Sequence, residues 1–134
     1  MSSTPPEIFL VEDDDLFTML LKRSLKKIGH INQLTTFKNG KEILDYLKNS
    51  NTETDTFPDI ILLDINMPIL DGWQFLDAFK TFYDTLPKQP KIYMLSSSIF
   101  TADIEKSKEY KIVTDYLIKP IPVDKLKEII KLKA

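Results

Sequence analysis

The sequence predicts an α/β domain, a doubly wound parallel sheet of five strands with helices on both faces. Three observations predict it. Short apolar runs alternate with segments of helical periodicity, strand then helix, five times along the chain. Such alternation gives parallel strands joined by right-handed helical crossovers. Two of the runs, Ile8-Phe9-Leu10-Val11 and Ile60-Ile61-Leu62-Leu63, show no polar alternation, as strands buried on both faces require. The second run stops on a carboxylate, Asp64, with Pro68 just beyond. In open α/β sheets, ligands gather at the carboxyl ends of the strands.

Each element has its own justification. The polar, proline-containing start, residues 1–6, reads as a flexible lead-in. Strand one, Ile8 to Val11, runs into Glu12-Asp13-Asp14-Asp15. Leu16 to Ile28 reads as a helix with Phe17, Leu20, Leu21, Leu25 and Ile28 near helical spacing, Asp14 or Asp15 as its cap and Gly29 closing it. His30 to Phe37 alternates loosely and reads as strand two. Asn39-Gly40 opens a helix carrying Ile43, Leu44 and Leu47. Residues 48–57 form a polar loop without apolar anchors, the best candidate for local mobility. Strand three spans Asp59 to Asp64. A loop through Asp71-Gly72 leads to an apolar helix bearing Trp73, Phe75, Leu76, Phe79, Phe82 and Tyr83. Strand four is Ile92 to Leu95, running into Ser96-Ser97-Ser98. A helix with a thin apolar stripe follows near Thr101 to Tyr110, then strand five from Val113 to Ile118, and a last helix from Val123 to about Lys133.

Bulk composition removes several function classes. The 134 residues suit one domain, and 43% hydrophobic with 28% charged residues is ordinary for a globular chain. A net charge of −2 offers no basic excess for nucleic acid. Zero cysteines exclude disulfides, thiolate metal sites and cysteine nucleophiles, and the single histidine, His30, builds no histidine metal cluster and is assigned no role. No apolar run approaches membrane-span length, and the N-terminus lacks the pattern of a signal peptide. The expectation is a cytoplasmic protein with no direct contact to membrane or nucleic acid.

Four strands end in chemically capable side chains: Glu12 and Asp13, then Asp64, Ser96 and Lys119. A parallel sheet brings those ends to one edge, so residues distant in sequence can meet there. Taken alone, Asp64 reads equally well as a helix cap. Asp14 and Asp15 read as capping or solvent acids, Asp71 as a turn residue, Trp73 as core, and Tyr116 as a half-buried strand tyrosine.

The ordered set Glu12-Asp13, Asp64 with Met67-Pro68 and Asp71-Gly72, Ser96, Tyr116 and Lys119-Pro120 resembles the response-regulator receiver domain of two-component signalling. The resemblance covers essentially the whole chain. It implies the flavodoxin-like strand order 2-1-3-4-5 and a single receiver domain over residues 1–134 with no output domain. It implies Asp64 as phosphoacceptor. It implies a metal held by Asp13, Asp64 and the backbone carbonyl of Asn66, with Glu12 acting through water. It also implies that Lys119 and a switch hydroxyl bind the phosphoryl group, that Tyr116 turns with the switch, and that Lys119-Pro120 is cis, with Pro120, Asp71 and Gly72 structural near the site. Ser96 is the hydroxyl expected, being first after the strand, with Ser97 one register on.

The chemistry can be argued beside the resemblance. Three clustered carboxylates oppose one another's ionisation and need a cation. Oxygen donors without histidine or cysteine select Mg²⁺, or Mn²⁺. With three glycines in total and no Gly-rich phosphate loop, the chain has no nucleotide site. Its phosphoryl group would come from a sensor histidine kinase or a histidine phosphotransfer protein. Ser98, neither acid nor amide, predicts no strong acceleration of dephosphorylation. A Mg²⁺-dependent phosphohydrolase of the haloacid dehalogenase type would need an acid where Asn66 stands. A receiver-like scaffold would not need the complete acid, hydroxyl and lysine set.

Overall fold

The computed structural model describes residues 5–29, 33–97 and 101–133. His30 and Ser98 therefore lie outside the described residues. Five parallel strands are ordered β2-β1-β3-β4-β5, as the resemblance implied. They are β1 (Glu7–Val11), β2 (Gln33–Phe37), β3 (Ile60–Asp64), β4 (Lys91–Ser96) and β5 (Val113–Ile118). The helices between and after them are α1 (Asp15–Ile28), α2 (Gly40–Asn49), α3 (Gly72–Phe79), α4 (Thr101–Lys108) and α5 (Val123–Lys133).

The unbroken apolar runs sit where double burial demands them. Every residue of β1 and β3 is buried. Side chains of a strand alternate between faces, so Ile8, Leu10, Ile60 and Leu62 join Leu21 and Leu25 of α1 and Leu126, Ile129 and Ile130 of α5. Phe9, Val11, Ile61 and Leu63 join Ile43 and Leu47 of α2 and Phe75, Leu76 and Phe79 of α3 on the other face. Burial of side chains this size is worth roughly 1.5–3 kcal/mol each. Between β4 and β5 the register slips by one residue: Ile92 faces Val113, but Tyr93 faces Asp115. Beyond that bulge, Ser96 lies level with Ile118, and Lys119 leaves the sheet beside it.

Several expectations are corrected. β1 begins one residue earlier than expected, at Glu7, which is level with Gln33, and Pro6 just ahead of it is buried. The apolar helix ends at Phe79, not Tyr83. The Thr81 hydroxyl takes the Ala78 carbonyl at 2.7 Å, and Phe82 N–H donates to the Phe79 carbonyl at 3.1 Å, tightening the last turn. Phe82 and Tyr83 still pack edge-on against Phe79 at 5.3 and 5.4 Å. The polar loop does have an apolar anchor, since Phe57 is buried in the core. Trp73 is only half-buried. Asp71 caps α3 in a reciprocal box with Gln74, each side chain accepting from the other's backbone amide at 2.9 Å.

Two glycines let this cap reach the end of β3. A Cβ on Gly72 would stand 2.6 Å from the Asp64 carbonyl oxygen, and one on Gly40 would stand 2.7 Å from that of Leu70. Their amides donate to the carbonyls of Ile65 and Leu70, both at 2.9 Å. Between them Ile69 adopts φ 70°, while the Leu70 amide reaches the Pro68 carbonyl at 2.7 Å, a tight turn forced on an exposed β-branched residue. Chemical denaturation should show Ile69→Asn more stable by about 1 kcal/mol, since strain of this kind costs of order 1–3 kcal/mol. Gly72→Ala should lose about 2 kcal/mol or more, because backbone rather than a flexible side chain blocks the added methyl.

Candidate functional site

The carboxyl edge of the sheet assembles the site from chain ends that share no local sequence. The Glu12 amide donates to the Phe37 carbonyl at 2.9 Å, which fixes the residue following β1. Glu12 is buried at 3% exposure, and its Oε2 accepts the Asp14 amide at 3.1 Å. Asp14 in turn caps α1, its Oδ1 accepting from Leu16 and Phe17 at 3.0 and 3.3 Å. Asp15 pairs instead with Lys38. Asp13 is left exposed at the mouth.

Asp64 closes β3 with 5% exposure. Lys119 is brought beside it by its own amide, which donates to the Ser96 carbonyl at 2.8 Å, and the peptide to Pro120 is cis as expected. The Lys119 ammonium lies 2.5 Å from Glu12 Oε1 and 3.3 Å from Asp64 Oδ1. Glu12 Oε1, though that close to a charge, is buried without a hydrogen bond of ordinary geometry.

Of the expected residues, Glu12, Asp13, Asp64 and Lys119 therefore meet. Ser96 is buried at the end of β4, next to Leu95, which lies level with Asp64. Tyr116 is half-buried against the α2–α3 face, level with Met94. Asn66 is exposed just past β3. Asp71, Gly72 and Pro120 frame the edge without joining the acids. Two contributors went unread in the sequence. Gly40 had a signal, a glycine directly after a capping asparagine. Phe17, whose ring lies 4.8 Å from the Lys119 ammonium, had none beyond its place on an apolar stripe.

The residues fit a hard divalent cation. Glu12, Asp13 and Asp64 each offer an oxygen, and these oxygens lie within 4.8 Å of one another. Glu12 Oε1, met by the Lys119 ammonium without a hydrogen bond of ordinary geometry, leaves acceptor capacity for a cation. Burial first, and then the charge of Glu12, push the Asp64 carboxyl up to about 7 against the pull of Lys119. Burial would lower the Lys119 ammonium, but its contacts with Glu12 and Asp64 more than reverse this and hold it above its usual value.

A carboxyl raised from 3.8 to about 7 keeps its proton longer when folded. The folded state therefore binds more protons across that window, and stability falls as pH rises through it. In metal-free solution Asp64→Asn should raise the unfolding free energy at pH 8 by on the order of 1–2 kcal/mol, by less than half as much at pH 5, and hardly at all below about pH 4. Thermal melts with and without Mg²⁺ check this, since a bound cation should close the gap at pH 8.

Comparisons with known proteins point one way. The family model for the response regulator receiver domain matches residues 8–131. The chain is 30% identical over 125 residues to the probable methanogenesis regulatory protein FilR2 of Methanothrix harundinacea, covering 92% of this chain and 78% of that protein. It is 34% identical over 116 residues to the DNA-binding transcriptional regulator NtrC of Klebsiella pneumoniae, covering 87% of this chain but 22% of NtrC. The crystal structure of the phosphorylated cyanobacterial phytochrome response regulator RcpA superposes with a TM-score of 0.75 at 31% identity, covering 95% of this chain and 89% of that one. With the fold, the strand order and the site edge all in agreement, this chain belongs to the response-regulator receiver domains of two-component signalling.

Proposed function

We propose that Asp64 accepts a phosphoryl group from a phosphohistidine on a partner protein. The observation that carries this reading is the buried Asp64 carboxylate, held beside Glu12 and Asp13 with the Lys119 ammonium 3.3 Å away. Receiver domains are phosphorylated by histidine kinases. RcpA, crystallised phosphorylated, supports the same chemistry here.

In the reaction, an Asp64 oxygen forms a bond to phosphorus as the bond from phosphorus to the imidazole nitrogen breaks. The leaving electron pair stays on that nitrogen. Asp64 must be ionised to attack, so whatever offsets the charge of Glu12 and Asp13 also prepares the nucleophile. Asp13, Asp64 and the Asn66 carbonyl would hold Mg²⁺, with Glu12 acting through water, and the ion would supply charge neutralisation for the incoming phosphoryl oxygens. Lys119 then shifts its attention from the carboxylates to a phosphoryl oxygen, and the buried Ser96 hydroxyl donates to another. Exposed Leu16, Met19 and Leu20, on adjoining turns of α1 next to the acids, give the partner an apolar footing.

The reading extends to output. Only Ser107 of α4 is buried, so little apolar packing holds this helix. Lys106 lays its ammonium over the Trp73 ring at 4.8 Å, and the turn after the helix is tied to α3 by Tyr110, stacked on Trp73 at 5.7 Å and donating to Asp77 at 2.8 Å. An element held this way shifts at low cost. Movement of Ser96 toward a phosphoryl group, with Tyr116 turning behind it, would be felt on the face of α4, β5 and α5.

Intact-protein mass after incubation with Mg²⁺ and acetyl phosphate should show one added phosphoryl group on the wild type and none on Asp64→Asn. Lys119→Met should slow labelling by roughly 100-fold or more, the usual loss when a donor to developing charge is removed. A wild type that stays unlabelled would sink the reading.

Hydrogen exchange with and without beryllofluoride should change in α4, β5 and α5 while β1 and β3 stay as protected as before. Identical protection in α4, β5 and α5 would refute the output face.

A further inference from the structure

We propose that Phe17 is a positioning residue for Lys119, its ring face holding the ammonium at the mouth of the site while the carboxylates are engaged elsewhere. The inference rests on the phosphoacceptor reading above and adds a residue to it.

The observation is the set of neighbours around one cation. The Lys119 side chain is only 16% exposed. Its ammonium has Glu12 Oε1 at 2.5 Å, Asp64 Oδ1 at 3.3 Å and the Phe17 ring centroid at 4.8 Å. Two of these partners belong to the acid trio suited to a divalent cation. A cation there competes directly with the ammonium for both oxygens. The third partner does not compete. A phenyl face attracts an ammonium through its quadrupole, offers nothing to a hydrated divalent ion, and gains strength where water is excluded. Phe17 thus keeps Lys119 within reach of the phosphoryl position after its ionic contacts are shared out.

Phe17 is also well placed to stay still. Its amide is tied to the Asp14 cap at 3.3 Å, and its ring packs half-buried against the core cluster between α1, α5 and the sheet. The cap residue that fixes Phe17 also donates its amide to Glu12 Oε2. One turn of chain therefore positions both the buried carboxylate and the ring on either side of the ammonium. A leucine would fill similar space and supply no attraction.

The test uses the full chain with lysines ¹³C-labelled at the ε-carbon, comparing wild type with Phe17→Leu, Phe17→Met and Phe17→Tyr. In the wild type the ring current should move the Lys119 ε-methylene protons upfield, and the shift should persist on Mg²⁺ addition. Leucine and methionine should abolish it, while tyrosine retains it. Labelling by acetyl phosphate at saturating Mg²⁺ should fall roughly 3- to 10-fold in Phe17→Leu and Phe17→Met and recover in Phe17→Tyr. Melting temperature and Mg²⁺ affinity should stay near wild type in whichever ring-less variant folds best. In a Lys119→Met background, Phe17→Leu should add no further loss of beryllofluoride affinity.

Absence of the upfield shift in the wild type would overturn the proposal, as would equal losses from Phe17→Leu with and without Lys119. If the wild type took no phosphoryl group, the phosphoacceptor reading would fail on its own, and the methylene shift would still decide where Lys119 is held.

Discussion

The contact on which the rest depends is the Lys119 ammonium set between two buried carboxylates. Uncompensated carboxylates inside a protein are expensive, and a pair of them more so. At 3% and 5% exposure, Glu12 and Asp64 can be kept together only because a cation reaches both. One lysine does not balance three acids, and the Asp64 carboxyl is raised, by its burial first and by the charge of Glu12 second. The site is thus built short of positive charge. That deficit suits the three clustered carboxylates to a hard divalent cation.

Holding this arrangement constrains the backbone more than the core. The ends of β1, β3 and β5 must lie level, which the fully buried central strands and the bulge between β4 and β5 achieve. The loop after β3 must also fold back closely enough for α3 to begin beneath Asp64. Gly72 and Gly40 permit that approach, and Ile69 absorbs the remaining geometry at positive φ. The strain sits in the loop that follows Asp64.

Much of this was legible in the sequence, for identifiable reasons. β5 and α5 were read with the bounds the structure gives, since Val113–Ile118 is followed by two prolines and then a clear apolar period. The acids were legible because each directly follows a buried run. α3 was overread because Phe82 and Tyr83 continue its apolar rhythm, and periodicity cannot see the Thr81 hydroxyl and tightened turn that end the helix. Trp73 was misread as core because aromatic character alone does not reveal a partner such as Tyr110. The pairing of Lys119 with Glu12 and Phe17 was beyond reach, since it depends on how far a flexible side chain extends across the edge.

The thin stripe of α4, by contrast, carried its meaning openly. A helix that buries little leans on specific contacts, among them the Lys106 ammonium over the Trp73 ring at 4.8 Å and, in the turn just after it, the Tyr110 ring stack and hydrogen bond to α3. Such contacts are directional, so a small displacement breaks them, whereas apolar packing would yield gradually. α3 itself begins at Gly72, directly against the end of β3. The turn after this weakly buried helix is therefore moored to the element that starts under Asp64.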